Sequence, residues 1–110
     1  MLDNAIIEEV LEIKLPKNIK IQELGLVNST VENTLSFLDD ENYLSLIIEN
    51  KNITSLIINK QIANKIDINN LNIYLIIVDD PRYSFYRLYN TLAKINIELF
   101  ESIIHPSAKI

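Results

Sequence analysis

Two segments rich in isoleucine constrain the fold of this chain more than any other feature. Residues 53–58 are dominated by β-branched side chains, and residues 73–78 form a fully apolar run. Strands of this kind are typical of a sheet that is buried on both faces, as parallel sheets are. Segments with a helical spacing of apolar residues lie before, between and after these runs. The sequence therefore predicts an α/β fold, in which helices pack on a small sheet.

Shorter patterns predict the other elements before the final helix, from capping residues, alternation and turn residues. In chain order they are a helix from Asp3 or Asn4 to Leu11 (with a strand as the alternative), a half-exposed strand over 19–27, a strand over 34–38, a helix from the acidic bend 39–42 to 50–52, and one or two helical turns over 61–66.

The clearest helix follows the second apolar run. Asp80 is the expected N-cap, and Pro81 suits the first helical position because its missing N–H is not needed there. One apolar stripe sets the face that packs on the sheet: Phe85, Leu88, Leu92 and Ile95. Beyond Asn96 we expect a connector between two folded bodies.

Composition excludes several classes of site. The 110 residues correspond to one domain, and they include no cysteine and one histidine, so neither a disulfide framework nor a metal or other cofactor is expected. The single glycine, Gly25, excludes both the Gly-rich dinucleotide fingerprint and a P-loop. A net charge of −5 disfavours nucleic acid as a partner. Without a signal peptide or a long apolar run, we expect a cytoplasmic protein with no membrane insertion.

The last six residues, His105-Pro106-Ser107-Ala108-Lys109-Ile110, match the hexapeptide that a left-handed parallel β-helix repeats. Each flat side of that coil buries one aliphatic residue per repeat, and one turn cannot bury its apolar face alone. We therefore expect a domain over residues 1–100, followed over residues 101–110 by a connector and the first turn of a β-helix that continues beyond Ile110.

Phe37 and Tyr43 are the best candidates for a binding site. A short strand supplies the first ring, the start of a helix supplies the second, and only the acidic bend lies between them. Two facing rings about 7 Å apart would hold one flat heterocycle. The alternative, which spacing alone favours, is that both are core aromatics. Asp40 could accept a hydrogen bond from a ligand's ring N–H or ribose hydroxyl, although helix capping is its more common role.

Tyr83, Tyr86 and Tyr89 lie off the apolar stripe of the last helix, where their rings could meet a neighbouring domain or subunit. Arg82 is expected to offset the carboxylates of Asp79 and Asp80. His105 is the only side chain that titrates near neutrality, but it precedes a proline in a connector. We therefore predict no catalytic residue in this chain.

Three motifs, in order and at fitting distances, resemble a known family. They are Leu35-Ser36-Phe37-Leu38 with Tyr43, then Asp79-Asp80-Pro81-Arg82 at a helix start, then Ile104 to Ile110. Together they resemble the N-terminal region of UDP-3-O-acylglucosamine N-acyltransferases, the LpxD-type enzymes of lipid A synthesis, over about residues 19–110. A related fold occurs in the N-terminal domains of the Mur ligases.

The resemblance implies that this α/β domain precedes a left-handed β-helix and binds a UDP-sugar, with the uracil held between Phe37 and Tyr43. Asp40 stands where the family usually has Asn. The implied reaction transfers an acyl group from acyl carrier protein to the amine of a UDP-linked glucosamine. Its general base, the carrier-protein site and the contacts of a homotrimer would all belong to the β-helix beyond Ile110.

Two alternatives remain open at the level of sequence. One is a related sugar-nucleotide acyltransferase that uses acyl-CoA and modifies a surface polysaccharide. The other is a non-catalytic interaction module, in which Tyr83, Tyr86 and Tyr89 contact a partner.

Overall fold

The protein is built on a sheet of four parallel strands. The computed structural model describes residues 2–66 and 72–104, with side chains as far as Lys94, so the predicted hexapeptide lies outside the described residues. A 3₁₀ turn over Glu41–Tyr43 leads into α2. In chain order the elements are α1 (Asn4–Leu11), β1 (Glu23–Leu24), β2 (Thr34–Leu38), α2 (Leu44–Glu49), β3 (Ile53–Ile58), α3 (Lys60–Ala63), β4 (Tyr74–Ile77) and α4 (Pro81–Ile104).

The order of the strands decides where the helices lie. Neighbouring strands follow the chain order β1-β2-β3-β4, and every pair is parallel. Parallel neighbours are joined by crossovers, which are right-handed in nearly all proteins. Because each crossover moves one strand in the same direction, all the connecting segments fall on one face. That face receives α2 and α3, and the opposite face must be covered by the terminal helices α1 and α4.

Two apolar cores, one on each face of the sheet, match this arrangement. The core under α1 and α4 consists of Ile7, Leu11, Ile21, Leu35, Ile57, Ile76, Phe85 and Leu88. The core under α2 and α3 consists of Leu38, Ile47, Ile53, Leu56, Ile58, Ile62 and Ala63. The predicted α/β class, a small sheet with helices packed on both faces, is confirmed.

An irregularity between β2 and β3 redirects one core residue. Thr34 pairs with Ile53, but the next residue, Leu35, pairs with Ser55, which leaves Thr54 as an extra residue in β3. Side chains alternate between faces along a regular strand, so Ile53 would share a face with Ile57. The inserted residue reverses this alternation, and Ile53 joins the core under α2 and α3.

The first strand is much shorter than the alternation over 19–27 predicts. Only Glu23–Leu24 is a strand, although the Gly25 N–H still donates to the Leu35 carbonyl at 3.0 Å. A Cβ on Gly25 would lie 2.9 Å from Thr34 Cγ2. The backbone at Gly25 therefore approaches β2 more closely than a residue with a side chain could. Immediately afterwards the chain turns, and Ser29 N–H donates to the Leu26 carbonyl at 3.0 Å.

The last helix is longer than its apolar stripe predicts. α4 continues to Ile104, through the segment beyond Asn96 for which we expected a connector. Residues 97–104 contain neither proline nor glycine, and the first helix-breaking residue is Pro106. Of the described helices, none combines the length and the apolarity that crossing a bilayer requires.

Leu88 tests the packing of α4 on the sheet. It is 0% exposed in the core beneath α1 and α4. We expect Leu88→Ala to lower the free energy of unfolding by about 2–5 kcal/mol, because it leaves a cavity between helix and sheet. Tyr89→Ala, one position along and on the exposed side, is the control and should change it by about 0.5 kcal/mol or less. Urea denaturation of both variants measures the difference, and equal losses would contradict this orientation of α4.

Ser36 carries a buried hydroxyl that has no hydrogen-bond partner among the residues that the structure describes. It lies in the middle of β2 and is 1% exposed. A buried polar group without a partner costs about 1–3 kcal/mol of desolvation. We therefore expect Ser36→Ala to leave stability unchanged or to raise it, by up to about 1 kcal/mol, in the same denaturation assay. A loss of more than about 1 kcal/mol would show that the hydroxyl is satisfied in solution.

Candidate functional site

Polar residues gather where the strands end. Asp39 and Asp40 follow β2, and Asn59 follows β3. In parallel sheets the carboxyl ends of the strands lie at one edge. Open α/β folds bind ligands at that edge where the strand order reverses, and the order of the described strands does not reverse, so the site rests on the residues that line this edge. An open depression of 520 Å³ lies here, and we call it the carboxyl-end depression. Its lining consists of Asp39, Asp40, Glu41, Tyr43, Asn59, Gln61, Ile62, Lys65 and Arg82.

Asp40 and Asn59 shape the depression by capping the turns that begin there. Asp40 Oδ1 accepts a hydrogen bond from the Asn42 N–H at 3.0 Å, which confirms the capping role. Asn59 Oδ1 accepts from the Ile62 N–H at 2.8 Å and caps α3. A carboxylate has acceptor capacity beyond one such bond. Asp40 is exposed, so its second oxygen can also serve a ligand.

Two ion pairs cross the carboxyl-end depression. Arg82 Nε lies 2.9 Å from Asp39 Oδ2, and Lys65 Nζ lies 3.1 Å from Glu41 Oε2. The expected compensation of Asp79 and Asp80 by Arg82 is therefore not the contact observed. Arg82 joins the start of α4 to the end of β2 instead. Asp80 caps α4, and its Oδ1 accepts from the Tyr83 N–H at 3.1 Å.

The electrostatics of the depression favour a ligand that donates hydrogen bonds. Three carboxylates line it against two cations, and both cations are already paired. Each ion pair uses one donor of its cation, so a phosphate can still bind the remaining donors of Arg82 or Lys65, but it meets the repulsion of three carboxylates. Ring N–H groups and sugar hydroxyls, in contrast, can donate directly to the carboxylates.

Phe37 lies in a cluster of three aromatic rings. It is half-buried on β2, with its ring centroid 4.7 Å from that of Phe85 and 5.9 Å from that of Tyr86. Phe85 and Tyr86 meet edge to face at 5.6 Å. Since Leu35 and Phe37 share a face, this ring belongs to the side of the sheet that α4 covers.

Tyr43 occupies different surroundings. It ends the 3₁₀ turn, is 51% exposed and lines the carboxyl-end depression beside Asp40. Phe37 is not among the residues that line this depression. The bend after β2 leads toward α2, on the face opposite α4, which explains why the described contacts bring Tyr43 together with Asp40 and not with Phe37. The slot between the two rings stays a prediction.

Of the residues that line the depression, sequence reasoning named Tyr43 and Asp40 as site residues, and those that it missed include Asn59, Gln61 and Lys65. Asn59 carried a usable signal, because it directly follows the strand predicted over 53–58. Lys65 carried none, since its approach to Glu41 depends on how α3 packs. In the part of the chain with described side chains, no group of three His, Cys, Asp or Glu residues is placed to hold a metal ion.

Two substitutions of Asp40 distinguish the contribution of its capping hydrogen bond from the contribution of its charge. We expect Asp40→Ala to lower the free energy of unfolding by about 0.5–1 kcal/mol, because the Asn42 N–H loses its acceptor. Asp40→Asn keeps an acceptor oxygen and should be nearly neutral. Thermal unfolding followed by circular dichroism measures both, and similar losses for the two variants would indicate that the charge matters rather than the cap.

Comparison with protein-family models gives no match for this chain, and comparison with curated proteins gives none either.

Proposed function

We propose that this domain binds the nucleoside end of a UDP-linked amino sugar in the carboxyl-end depression. One observation carries the proposal: an exposed aromatic ring, Tyr43, stands beside the hydrogen-bond acceptors Asp40 and Asn59 at the carboxyl ends of parallel strands. Ligand sites usually combine an apolar surface with a few placed polar groups.

The chemistry of uridine fits these groups. Uracil is flat, so it can stack on Tyr43, and such stacking is worth about 1–3 kcal/mol per base. Its ring N–H and the ribose hydroxyls are donors, which suit the carboxylate of Asp40 and the amide oxygen of Asn59. The diphosphate would contact the remaining donors of Arg82 or Lys65 against the repulsion of three carboxylates, so we expect few phosphate contacts and an affinity no better than about millimolar.

Phe37 is the proposed second wall of the uracil site. The resemblance to the acyltransferase family supports this role, and the ring is half-buried rather than sealed in the core. Phe85 and Tyr86 hold it from the side of α4. Uracil would therefore have to enter between the carboxyl-end depression and this cluster, with Tyr43 closing over it.

The parent function proposed is that of an N-acyltransferase of lipid A synthesis, and the support is the order and spacing of the three motifs. In that proposal a domain of the Mur-ligase N-terminal type precedes a left-handed β-helix. The full protein is a cytoplasmic homotrimer that takes its acyl group from acyl carrier protein, and it needs no other cofactor. An acyl-CoA-dependent enzyme acting on another sugar nucleotide is the alternative. Acyl-donor specificity of a protein that includes the β-helix separates the two.

A second candidate function, a non-catalytic interaction module, is favoured by the exposed tyrosines of α4. Tyr83, Tyr86 and Tyr89 are 65%, 44% and 52% exposed, as expected for residues off the apolar stripe. In this alternative the carboxyl-end depression binds no nucleotide.

Titration of UDP into the ¹⁵N-labelled chain tests the proposed site. We expect saturable shifts near Phe37, Asp40, Tyr43 and Asn59 at millimolar UDP. Tyr43→Ala should weaken binding by about 5- to 150-fold, the loss of one stacking interaction. Phe37→Leu, which keeps a large apolar side chain but removes the aromatic ring, should also weaken UDP binding. Tyr89→Ala is the matched control and should bind as the original chain does.

The comparison with ADP at equal concentration addresses specificity. The phosphates of ADP and UDP are identical, so shifts of equal size and position would indicate a diphosphate site and no uracil slot. If UDP produces no saturable shifts at 10 mM, about ten times the expected dissociation constant, the proposed nucleotide site is wrong.

A further inference from the structure

The part of α4 over residues 81–97 is rich in tyrosine and cationic residues, and Glu98 and Glu101 follow near the end of the helix. Residues 81–97 contain three cationic side chains and no carboxylate, in a chain with a net charge of −5. Both arginines and three of the five tyrosines of the chain lie in this segment. Tyrosine and arginine are the residues that protein interfaces concentrate, and lysine and glutamate are depleted there.

Helix geometry gathers these residues into one stripe. Tyr83, Arg87, Asn90 and Lys94 follow one another at spacings of four, three and four residues, which places them on one side of a helix. This side lies opposite Phe85 and Leu88, the residues that α4 buries against the sheet. A shallow groove of 420 Å³ runs along the stripe, and Arg82, Tyr86 and Thr91 also line it.

We propose that this stripe is a docking surface for a carboxylate-rich helical segment of a partner protein. Charge decides the occupant. Arg87 and Lys94 are cations with no ion pair within 4.0 Å among the described side chains. They lie seven residues, or about 10.5 Å, apart along the axis. Carboxylates two turns apart on a partner helix would match them, and an Arg guanidinium binds carboxylates through two parallel hydrogen bonds.

The aromatic residues supply the contact area that charges alone do not. Tyr83 is 65% exposed and borders the groove, and Tyr86 stacks edge to face on the buried Phe85. A ring held from behind by the core loses little freedom when a partner covers it, so more of the interaction energy is retained. The surface thus combines the anchored ring of Tyr86 and the exposed ring of Tyr83 with two cations, Arg87 and Lys94, that form no ion pair with a described side chain.

Other occupants fit less well. A nucleic acid or an anionic membrane presents a long run of phosphates and would meet only three cations in the segment over residues 81–97, one of them already paired with Asp39. A second copy that docked through the same stripe would place cations against cations. A second copy that docked through another surface would have to supply carboxylates there that match the stripe. This inference is independent of nucleotide binding, since the stripe and the carboxyl-end depression share only Arg82.

A designed peptide tests the proposal. The probe is a 16-residue alanine-rich helix with a leucine stripe and glutamates seven residues apart, and its two controls carry glutamine or lysine at those positions. At about 20 mM salt we expect the glutamate peptide to shift amide signals of residues 83–94 in ¹⁵N spectra. It should bind at least about tenfold more tightly than the glutamine peptide. The lysine peptide should not bind.

Charge reversal at the stripe should invert this preference. The double variant Arg87→Glu with Lys94→Glu should lose at least about tenfold in affinity for the glutamate peptide and gain binding to the lysine peptide. Lys17→Glu with Lys51→Glu, two exposed lysines elsewhere, makes the same change in net charge and should retain most of the affinity. Tyr83→Ala should weaken binding as well, whereas Tyr43→Ala should not.

Several results would overturn the proposal. Equal losses in the two double variants would mean that net charge alone attracts the peptide. Shifts outside α4 would place the surface elsewhere. Tighter binding of an RNA oligonucleotide or of phosphatidylserine vesicles would assign another class of partner. Self-association in sedimentation that Arg87→Glu with Lys94→Glu abolishes would make a second copy the occupant.

Discussion

The strand order of the sheet is the constraint on which the rest of this structure depends. Four parallel strands that follow one another in chain order place every crossover on one face, so the opposite face has no cover of its own. Of the described helices, α1 and α4 bury Leu35, Ile57 and Ile76 on that face, together with Ile21 from the segment before β1. The long final helix is therefore half of a core layer, and its inward stripe of Phe85 and Leu88 is set by the sheet beneath it.

The same constraint explains how the surfaces of the molecule divide. Because α4 must present Phe85 and Leu88 to the sheet, Tyr83 and Arg87 are forced outward. Because the strands are parallel, the residues that follow them meet at one edge, where Asp40 and Asn59 cap the next turns. The parallel strands and the packing of α4 thus determine where the carboxyl-end depression and the outward stripe of α4 lie. Arg82 borders both of them.

Much of the fold is predictable from the chain because burial acts locally along strands. The β-branched run over 53–58 and the strand over 34–38 are found with the predicted bounds, and Asp3 and Asp80 cap as expected. The first strand was not predictable in length, because the close approach of Gly25 to Thr34 is a tertiary contact. The extra residue in β3 was not predictable from the sequence either, because it is defined by the pairing of β3 with β2, which places Ile53 on the other face of the sheet.

The candidate site was predictable only in part, for a related reason. Tyr43 and Asp40 are neighbours along the chain, and the structure keeps them together. The pairing of Arg82 with Asp39 joins residues that are far apart in sequence, and nothing local distinguishes Asp39 from the nearer Asp79. Likewise, strand alternation turns the ring of Phe37 toward Phe85, a contact that its position in the sequence does not reveal.

The dependence of one core layer on the last helix also affects how the domain is made. During synthesis the strands and the crossover helices α2 and α3 emerge before α4. The apolar side chains of Ile57 and Ile76 are therefore not covered by Phe85 and Leu88 until α4 has been made. Until then the nascent chain exposes an incomplete apolar layer. Chaperones bind surfaces of this kind, and nascent chains aggregate through them. Completion of the fold is thus postponed until the ribosome has delivered nearly the whole of the domain.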